Sequence, residues 1–328
     1  MDKLKKPLIT VIIPCFNEAL FIEKTIRSLI DDYVLASSEI LIVDAMSTDK
    51  TRNIISILVK EGLPLRVIDN PDKYQVFGMN KGIQEARGKY IIRVDAHAAY
   101  PEGYIQKCIM LLEETGAQNV GGVMLPRGDT HVQKAIALAM QHPVGVGDAR
   151  FHRGNYSGYV DTVYLGAFRK SIFDRIGMYD TNLKTNEDAE LNLRIIKSGG
   201  RIYLDSSLKV EYIPRSSFKQ LIVQYFRYGK GRCFTTLKHK KFTSWRQLAP
   251  VLLVLSLLAS LVLGFWKPLA FLFWPLYGLS LVAVGLFSRL EKRVSIKQRL
   301  LLSVAFIFMH LSWGVGFLIE LITSPFRE

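Results

Sequence analysis

Three short apolar runs in the first hundred residues each end in polar side chains. Residues 8–13 run into Pro14-Cys15-Phe16-Asn17-Glu18, residues 39–43 into Asp44-Ala45-Met46-Ser47-Thr48-Asp49, and residues 90–94 into Asp95-Ala96-His97. A carboxylate at the end of a strand can bind a ribose or a base edge, and a helix N-terminus just behind it favours phosphate. Taken one at a time, Asp44 and Asp49 read as turn residues or as an N-cap. Taken together and in order, the three segments deliver polar groups to a single rim. Further along, Glu187-Asp188 opens a helix, where acidic groups favour the helix dipole whatever else they do. Helical spacing sets Gln224, Arg227 and Tyr228 on one face.

The elements that must position these groups follow from the apolar period. Residues 18–30, 51–60 and 76–86 have helical periodicity, and residues 8–13, 39–43, 65–68 and 90–94 are short β-branched or apolar runs. Strands alternating with helices predict a doubly wound α/β sheet, read here as parallel, which binds ligands outside the carboxyl ends of its strands. The chain shows neither an internal repeat nor a low-complexity linker.

The 328 residues are 49% hydrophobic, and the apolar excess lies beyond Gln247. Residues 249–266, 268–288 and 300–325 are each long enough to cross a hydrocarbon core of about 30 Å. Between Arg215 and Arg246 stand nine Lys and Arg with no Asp or Glu, and between Arg289 and Arg299 five against Glu291. These clusters hold thirteen of the net fourteen positive charges. Basic groups bracketing apolar spans predict cytoplasmic anchors on anionic lipid, and the reading excludes a nucleic-acid binder, which would spread them over its folded domain. Residues 217–237 mix aromatic with basic side chains, predicting an amphipathic helix on the membrane surface. The expected organisation is a catalytic domain over 1–214, interfacial helices over 215–247 and about three transmembrane helices over 248–328. Glu320, near the end of the last span, is expected to snorkel to the interface. Cys15, Cys108 and Cys233 lack metal spacing and suit a reducing compartment. The apolar N-terminal run is broken by Pro14 and reads as a first strand rather than a signal peptide.

Six segments then carry a resemblance: VIIPCFNEALFIEKTIRSL, EILIVDAMSTDKT, GMNKGIQEARGKYIIRVDAHA, GAFRKSIFDRIGMYD, TNEDAELNLRIIKSGGRIY and QYFRYGKGR. In order and spacing they resemble family 2 glycosyltransferases of the GT-A fold, over residues 7–232. Within that family they look most like the ExoA-like branch of succinoglycan and exopolysaccharide biosynthesis, which extends lipid-linked repeat units. The resemblance implies a GT-A domain with a Rossmann-like, doubly wound mixed sheet. It implies that Pro14, Asn17, Glu18 and Asp44 hold the base and ribose, with Ala45 where the family has a second acid. It further implies that Asn80 and Lys81 approach the nucleotide and that Gly166 begins the segment lining the donor sugar. Asp95-Ala96-His97 stands where the family's Asp-x-Asp motif binds a divalent cation, Mn²⁺ or Mg²⁺; an imidazole there favours Mn²⁺. Asp188 of the Glu187-Asp188 pair is the implied catalytic base. Gln224, Arg227 and Tyr228 resemble the Gln-x-x-Arg-Trp motif of processive synthases, in which the Arg contacts the diphosphate and the aromatic residue the acceptor.

The implied activity is inverting transfer from a UDP-sugar, such as UDP-glucose, to a polyprenyl-diphosphate-linked saccharide. It would take place at the cytoplasmic face of the membrane, with membrane lipids as further partners and nucleic acid as none. The alternatives are a polyprenyl-phosphate sugar synthase, a processive synthase, and a non-catalytic membrane scaffold with a glycosyltransferase-like domain. Ala45 and His97 favour the scaffold; Asp44, Asp95, Glu187, Asp188 and Arg227 oppose it. Donor sugar, linkage and oligomeric state are not encoded in any motif.

Overall fold

The computed structural model describes residues 7–241, 247–290 and 294–324. The described chain divides into two compact units, Met1–Leu125 with Ala149–Tyr212, and Pro126–Asp148 with Ile213–Glu328.

The first unit is built on eight strands: β1 (Ile9–Cys15), β2 (Ser38–Asp44), β3 (Leu65–Asp69), β4 (Tyr90–Arg93), β5 (Asn119–Pro126), β6 (Gly158–Val160), β7 (Tyr164–Arg169) and β8 (Ile202–Tyr212). Their order in the sheet is β3-β2-β1-β4-β7-β5-β8-β6. β1 pairs in parallel with β2 and β4, and β2 with β3. Beyond β4 the direction reverses: β7 is antiparallel to both β4 and β5, and β6 to β8. The sheet is therefore mixed, as the family resemblance implies, and not parallel throughout as the strand–helix alternation alone suggests. Apolar runs identify strands, but chain direction is set by the connections between them.

β1 is buried on both faces, which is why it reads as a continuous apolar run. Ile9, Val11 and Ile13 join one core cluster and Ile12 the other. The first cluster also takes Ile22 and Ile26 from α1 (Ile22–Leu29), Ile55 and Leu58 from α3 (Thr51–Lys60), and Ile105 and Leu112 from α5 (Tyr104–Thr115); α2 (Asp32–Ser37) supplies Val34. The second takes Val76, Met79 and Ile83 from α4 (Gln75–Glu85), Ile172 and Phe173 from α8 (Ser171–Ile176), and Leu191 and Ile195 from α9 (Glu187–Lys197).

The second unit is helical. It holds α6 (His131–Gln141), α7 (Pro143–Val146), α10 (Phe218–His239), α11 (Leu248–Leu263), α12 (Phe273–Phe287) and α13 (Ile296–Thr323). Sequence reading assigned residues 126–148 to the catalytic domain; by its contacts this segment groups with the C-terminal helices, and His310 Nε2 of α13 lies 2.7 Å from the Val144 carbonyl. Among the described residues, two helices are long and apolar enough to cross a membrane: Pro268–Phe287, which opens with a 3₁₀ turn, and Ile296–Thr323. α11 has 16 residues, a rise of about 24 Å, short of the hydrocarbon thickness. Residue 325, the end of the third stretch, lies outside the described residues, as do 242–246 and 291–293 of the two basic clusters.

α10 does not simply lie on a surface, because it packs tightly along α13. A Cβ on Gly229 would collide with the Trp313 carbonyl, and one on Gly316 with the Phe226 carbonyl. Close backbone approach through small residues is how helices associate in lipid. Gly229→Val is accordingly expected to destabilise the detergent-solubilised protein by about 1–3 kcal/mol, the range for overpacking. Gly278→Val on α12, where a Cβ meets nothing within 4 Å, leaves the melting temperature unchanged; equal melting of the two variants contradicts this packing. Glu320 does not snorkel. It is buried at the helix interface with Lys230 Nζ 3.2 Å away, since an ion in an apolar surround needs a partner.

Candidate active site

The loops after β1 and β2 are fastened to each other. Asn17, held at a positive φ of 56°, accepts the Thr48 amide on Oδ1 at 2.8 Å and donates its own amide to Ser47 Oγ at 2.9 Å. The Glu18 amide donates to Thr51 Oγ1 at 2.8 Å, and the Ala19 amide to Asp49 Oδ2 at 3.2 Å. Met46 also has positive φ, a costly conformation for a residue with a Cβ and one that clusters at functional sites.

Asp44 ends β2 with its carboxylate wholly buried. Oδ2 accepts the Ser47 amide at 3.0 Å and Arg52 Nε at 2.6 Å, and Oδ1 accepts Ser47 Oγ. Burial alone would raise its pKa, but the bonds from Ser47 and Arg52 outweigh it and hold the group below the usual carboxylate range. Expected to touch the nucleotide, Asp44 is here enclosed by its own loop. Arg52 carries its charge outward to Asp69 at the end of β3, whose side chain is 61% exposed. Lys81 Nζ donates to the Asp69 carbonyl at 2.6 Å, which brings it to the same rim, and Pro14 lies in β1 immediately before that rim.

The turn after β4 is clamped from two sides. Thr25 Oγ1 donates to the carbonyls of Ala96 and Ala98, and the Tyr100 hydroxyl accepts the Asp95 amide at 2.8 Å. Asp95 accepts Gln75 Nε2 and Arg93 Nε, both on Oδ1. His97 lies with Nδ1 2.8 Å from Glu18 Oε1, so the first and fourth strand ends meet there. Among the described residues no group of three or more His, Cys, Asp or Glu is placed to enclose a metal. Asp95 and His97, which the resemblance implies as cation ligands, stand two residues apart in this turn.

Arg93, the last residue of β4, is 5% exposed and reaches into the first turn of α9. Its Nη1 donates to Asp188 Oδ1 and lies 3.3 Å from Glu187 Oε1, while Nε lies 3.3 Å from Asp95 Oδ1. Burial raises the pKa of Glu187, reinforced by the Asp188 charge and opposed by Arg93; burial likewise raises that of Asp188, with Arg93 opposing. Asn80, on α4, donates to the Tyr179 carbonyl at 2.8 Å and accepts its amide at 2.9 Å. This pins Tyr179, which is itself buried. Gly166 faces Arg93 across the β4–β7 pairing, where a Cβ would collide with the Phe168 ring.

In the first unit Arg93 thus joins Glu187 and Asp188 to Asp95, and His97, two residues on, pairs with Glu18. Gln224, Arg227 and Tyr228 lie on α10 of the second unit: Gln224 is buried and donates to the Tyr228 hydroxyl at 2.9 Å, and Arg227 is exposed. Arg93 and Arg52 escaped sequence reasoning. Arg93 had a signal, since a charge inside the apolar run Tyr90-Ile91-Ile92-Arg93-Val94 must find buried partners. Arg52 had none, being one of several basic residues on a helix.

The sheet is mixed and carries acidic side chains where its parallel strands end, as the resemblance to the GT-A fold implies. Residues 10–177 match Glycosyl transferase family 2. The chain is 32% identical to the succinoglycan biosynthesis protein ExoA of Rhizobium meliloti (strain 1021) over 331 residues, covering 98% of this chain and 97% of that one. It is 30% identical over 233 residues, 68% of this chain and 72% of the other, to the dolichyl N-acetyl-alpha-D-glucosaminyl phosphate 3-beta-D-2,3-diacetamido-2,3-dideoxy-beta-D-glucuronosyltransferase of Methanococcus voltae. The mannosyltransferase PcManGT from Pyrobaculum calidifontis, solved with GDP-Man and Mn²⁺, superposes with a TM-score of 0.60 at 18% identity, over 99% of this chain and 89% of that one. The chain belongs to glycosyltransferase family 2 and is a transferase of glycan biosynthesis.

Proposed function

We propose that the protein is an inverting, cation-dependent hexosyltransferase. It moves a sugar from a UDP-sugar, UDP-glucose or a similar hexose, to a polyprenyl-diphosphate-linked saccharide at the cytoplasmic face of the membrane, in exopolysaccharide assembly. The observation that carries this is the position of Asp188. It is a partly exposed carboxylate with a raised pKa, opening a helix and bonded through Arg93 to Asp95 at a parallel strand end. A base poised in this way can take the proton of an acceptor hydroxyl while that oxygen attacks the anomeric carbon.

In this reading Pro14, Asn17, Glu18 and Lys81 line the nucleotide, and Asp44 acts through Arg52. Gly166 begins the segment lining the donor sugar, and the family resemblance gives Gln224 and Arg227 to the diphosphate and Tyr228 to the acceptor. Asp95 and His97 would hold the cation, which would supply positive charge against the leaving nucleoside diphosphate. Residues 1–125 with 149–212 form the catalytic part, and 126–148 with 213–328 the part that serves the membrane. The two apolar helices, the bracketing basic clusters and the dolichyl-phosphate relative support a lipid-linked acceptor.

The test is nucleoside diphosphate release by the purified protein in detergent, over UDP-glucose, UDP-galactose and GDP-mannose, with Mn²⁺ or EDTA, and with or without membrane lipid extract. Mn²⁺-dependent release from a UDP-sugar, raised by the extract, is the expected result. Release from GDP-mannose alone overturns the donor assignment, and release unaffected by EDTA overturns the cation.

A further inference from the structure

Arg93 is an arginine at the end of an apolar strand, flanked by Ile92 and Val94, both fully buried. A buried guanidinium needs charged partners, and one carboxylate would satisfy that need. Arg93 has three, drawn from two distant parts of the chain. Nε faces Asp95, two residues on; Nη1 faces Glu187 and Asp188, more than ninety residues away. The guanidinium is a rigid planar fork, so its two ends cannot move independently. Its backbone is held in register against β7, where Gly166 is its partner, and the pair it reaches is fixed to a helix start. Asp188 is one-third exposed at the rim, whereas Glu187 is nearly enclosed. Arg93 thus spans from the carboxylate at the strand end to the one acidic group of the pair that a substrate can reach.

We propose that Arg93 is a positioning residue that joins the Asp95 end of the site to Asp188, holding the Asp188 carboxylate at the depth and orientation required for attack. This rests on the reading of Asp188 as the base. It goes beyond that reading by making the acceptor half of the site depend on a residue that itself touches neither substrate. A misplacement of about 1 Å in a reacting group costs on the order of 10²-fold in rate. Shortening the fork to a single ammonium loses the simultaneous reach while keeping the charge.

The experiment uses the full-length protein in detergent and four forms: wild type, Arg93→Lys, Asp188→Asn and the double variant. Arg93→Lys is expected to lower kcat about 10²-fold with the donor KM within about threefold of wild type and a lowered melting temperature, because one buried carboxylate loses its partner. The double variant is expected to be no slower than Asp188→Asn alone, because residues acting through one another are non-additive. Arg93→Met, which keeps volume without charge, should be slower than Arg93→Lys; if it does not fold, the Lys variant and the cycle decide. Near-normal kcat in Arg93→Lys with an inactive Asp188→Asn overturns the positioning role and leaves the base standing. A raised donor KM at unchanged kcat, or fully multiplicative losses in the double variant, also overturns it. Near-normal turnover of Asp188→Asn overturns the base and the positioning role together.

Discussion

Asp188→Asn is expected to lower turnover by about 10²–10⁴-fold, the contribution of a positioned general base, while the protein still binds its nucleotide. The substitution keeps size and shape, so Arg93 retains an oxygen to which it can donate, but the amide cannot accept a proton. The carboxylate is well suited to the task. Burial pushes its pKa upward, Arg93 restrains the rise, and the first turn of α9 offers a favourable dipole to its charge. Glu187 is the less suitable of the two: it is nearly enclosed, and burial and its neighbour's charge both favour its protonated form. Two measurements check the expectation. Initial rates give the loss in kcat, and the rise in melting temperature with UDP and Mn²⁺ reports whether binding to the folded state survives. A variant that turns over at the wild-type rate rules Asp188 out as the base, whereas one that loses the thermal shift as well points to a damaged donor site.

Asp95→Asn carries the second large effect. It should reduce turnover by at least about 10²-fold, as removal of one electrostatic stabiliser of the transition state does, and raise the Mn²⁺ concentration for half-maximal activity. Asp95 is held at the strand end by Gln75 and Arg93 on a single oxygen, so the amide can take up the same position without the charge. The turn stays clamped by Thr25 and Tyr100, which separates loss of the ligand from loss of fold. His97→Ala should have the smaller effect, because the charged ligand, the Asp95 carboxylate, remains in place. An Asp95→Asn enzyme with an unaltered Mn²⁺ requirement would exclude Asp95 as the cation's ligand.

Much of the first unit was legible in the chain itself. Residues 51–60 were read as a helix and form α3 with those limits; the apolar runs at residues 8–13, 39–43 and 90–94 became β1, β2 and β4 within a residue or two. These elements are legible because periodicity and β-branching are local. The first helix was read from residue 18 but begins at Ile22, since residues 17–19 are taken up by bonds to the β2 loop. The site was legible as a set of strand-end acids but not as a network. Nothing local distinguishes Asp44, sealed by Ser47 and Arg52, from Asp95 at the rim.

What the sequence determined by itself was the alternation of strands and helices, the polar rim at the strand ends and the placement of nearly all the net positive charge beside the apolar spans. Each follows from residue type and spacing within a window of a few turns. Tertiary structure alone decided the reversal of strand direction after β4, the grouping of residues 126–148 with the C-terminal helices and the burial of Glu320 against Lys230. It also decided the convergence of Asp95, Glu187 and Asp188 on Arg93. Each of these depends on partners far apart in the chain: 95 residues separate Arg93 from Asp188. A buried charge announces that it must have a partner, but only the path of the backbone says which one.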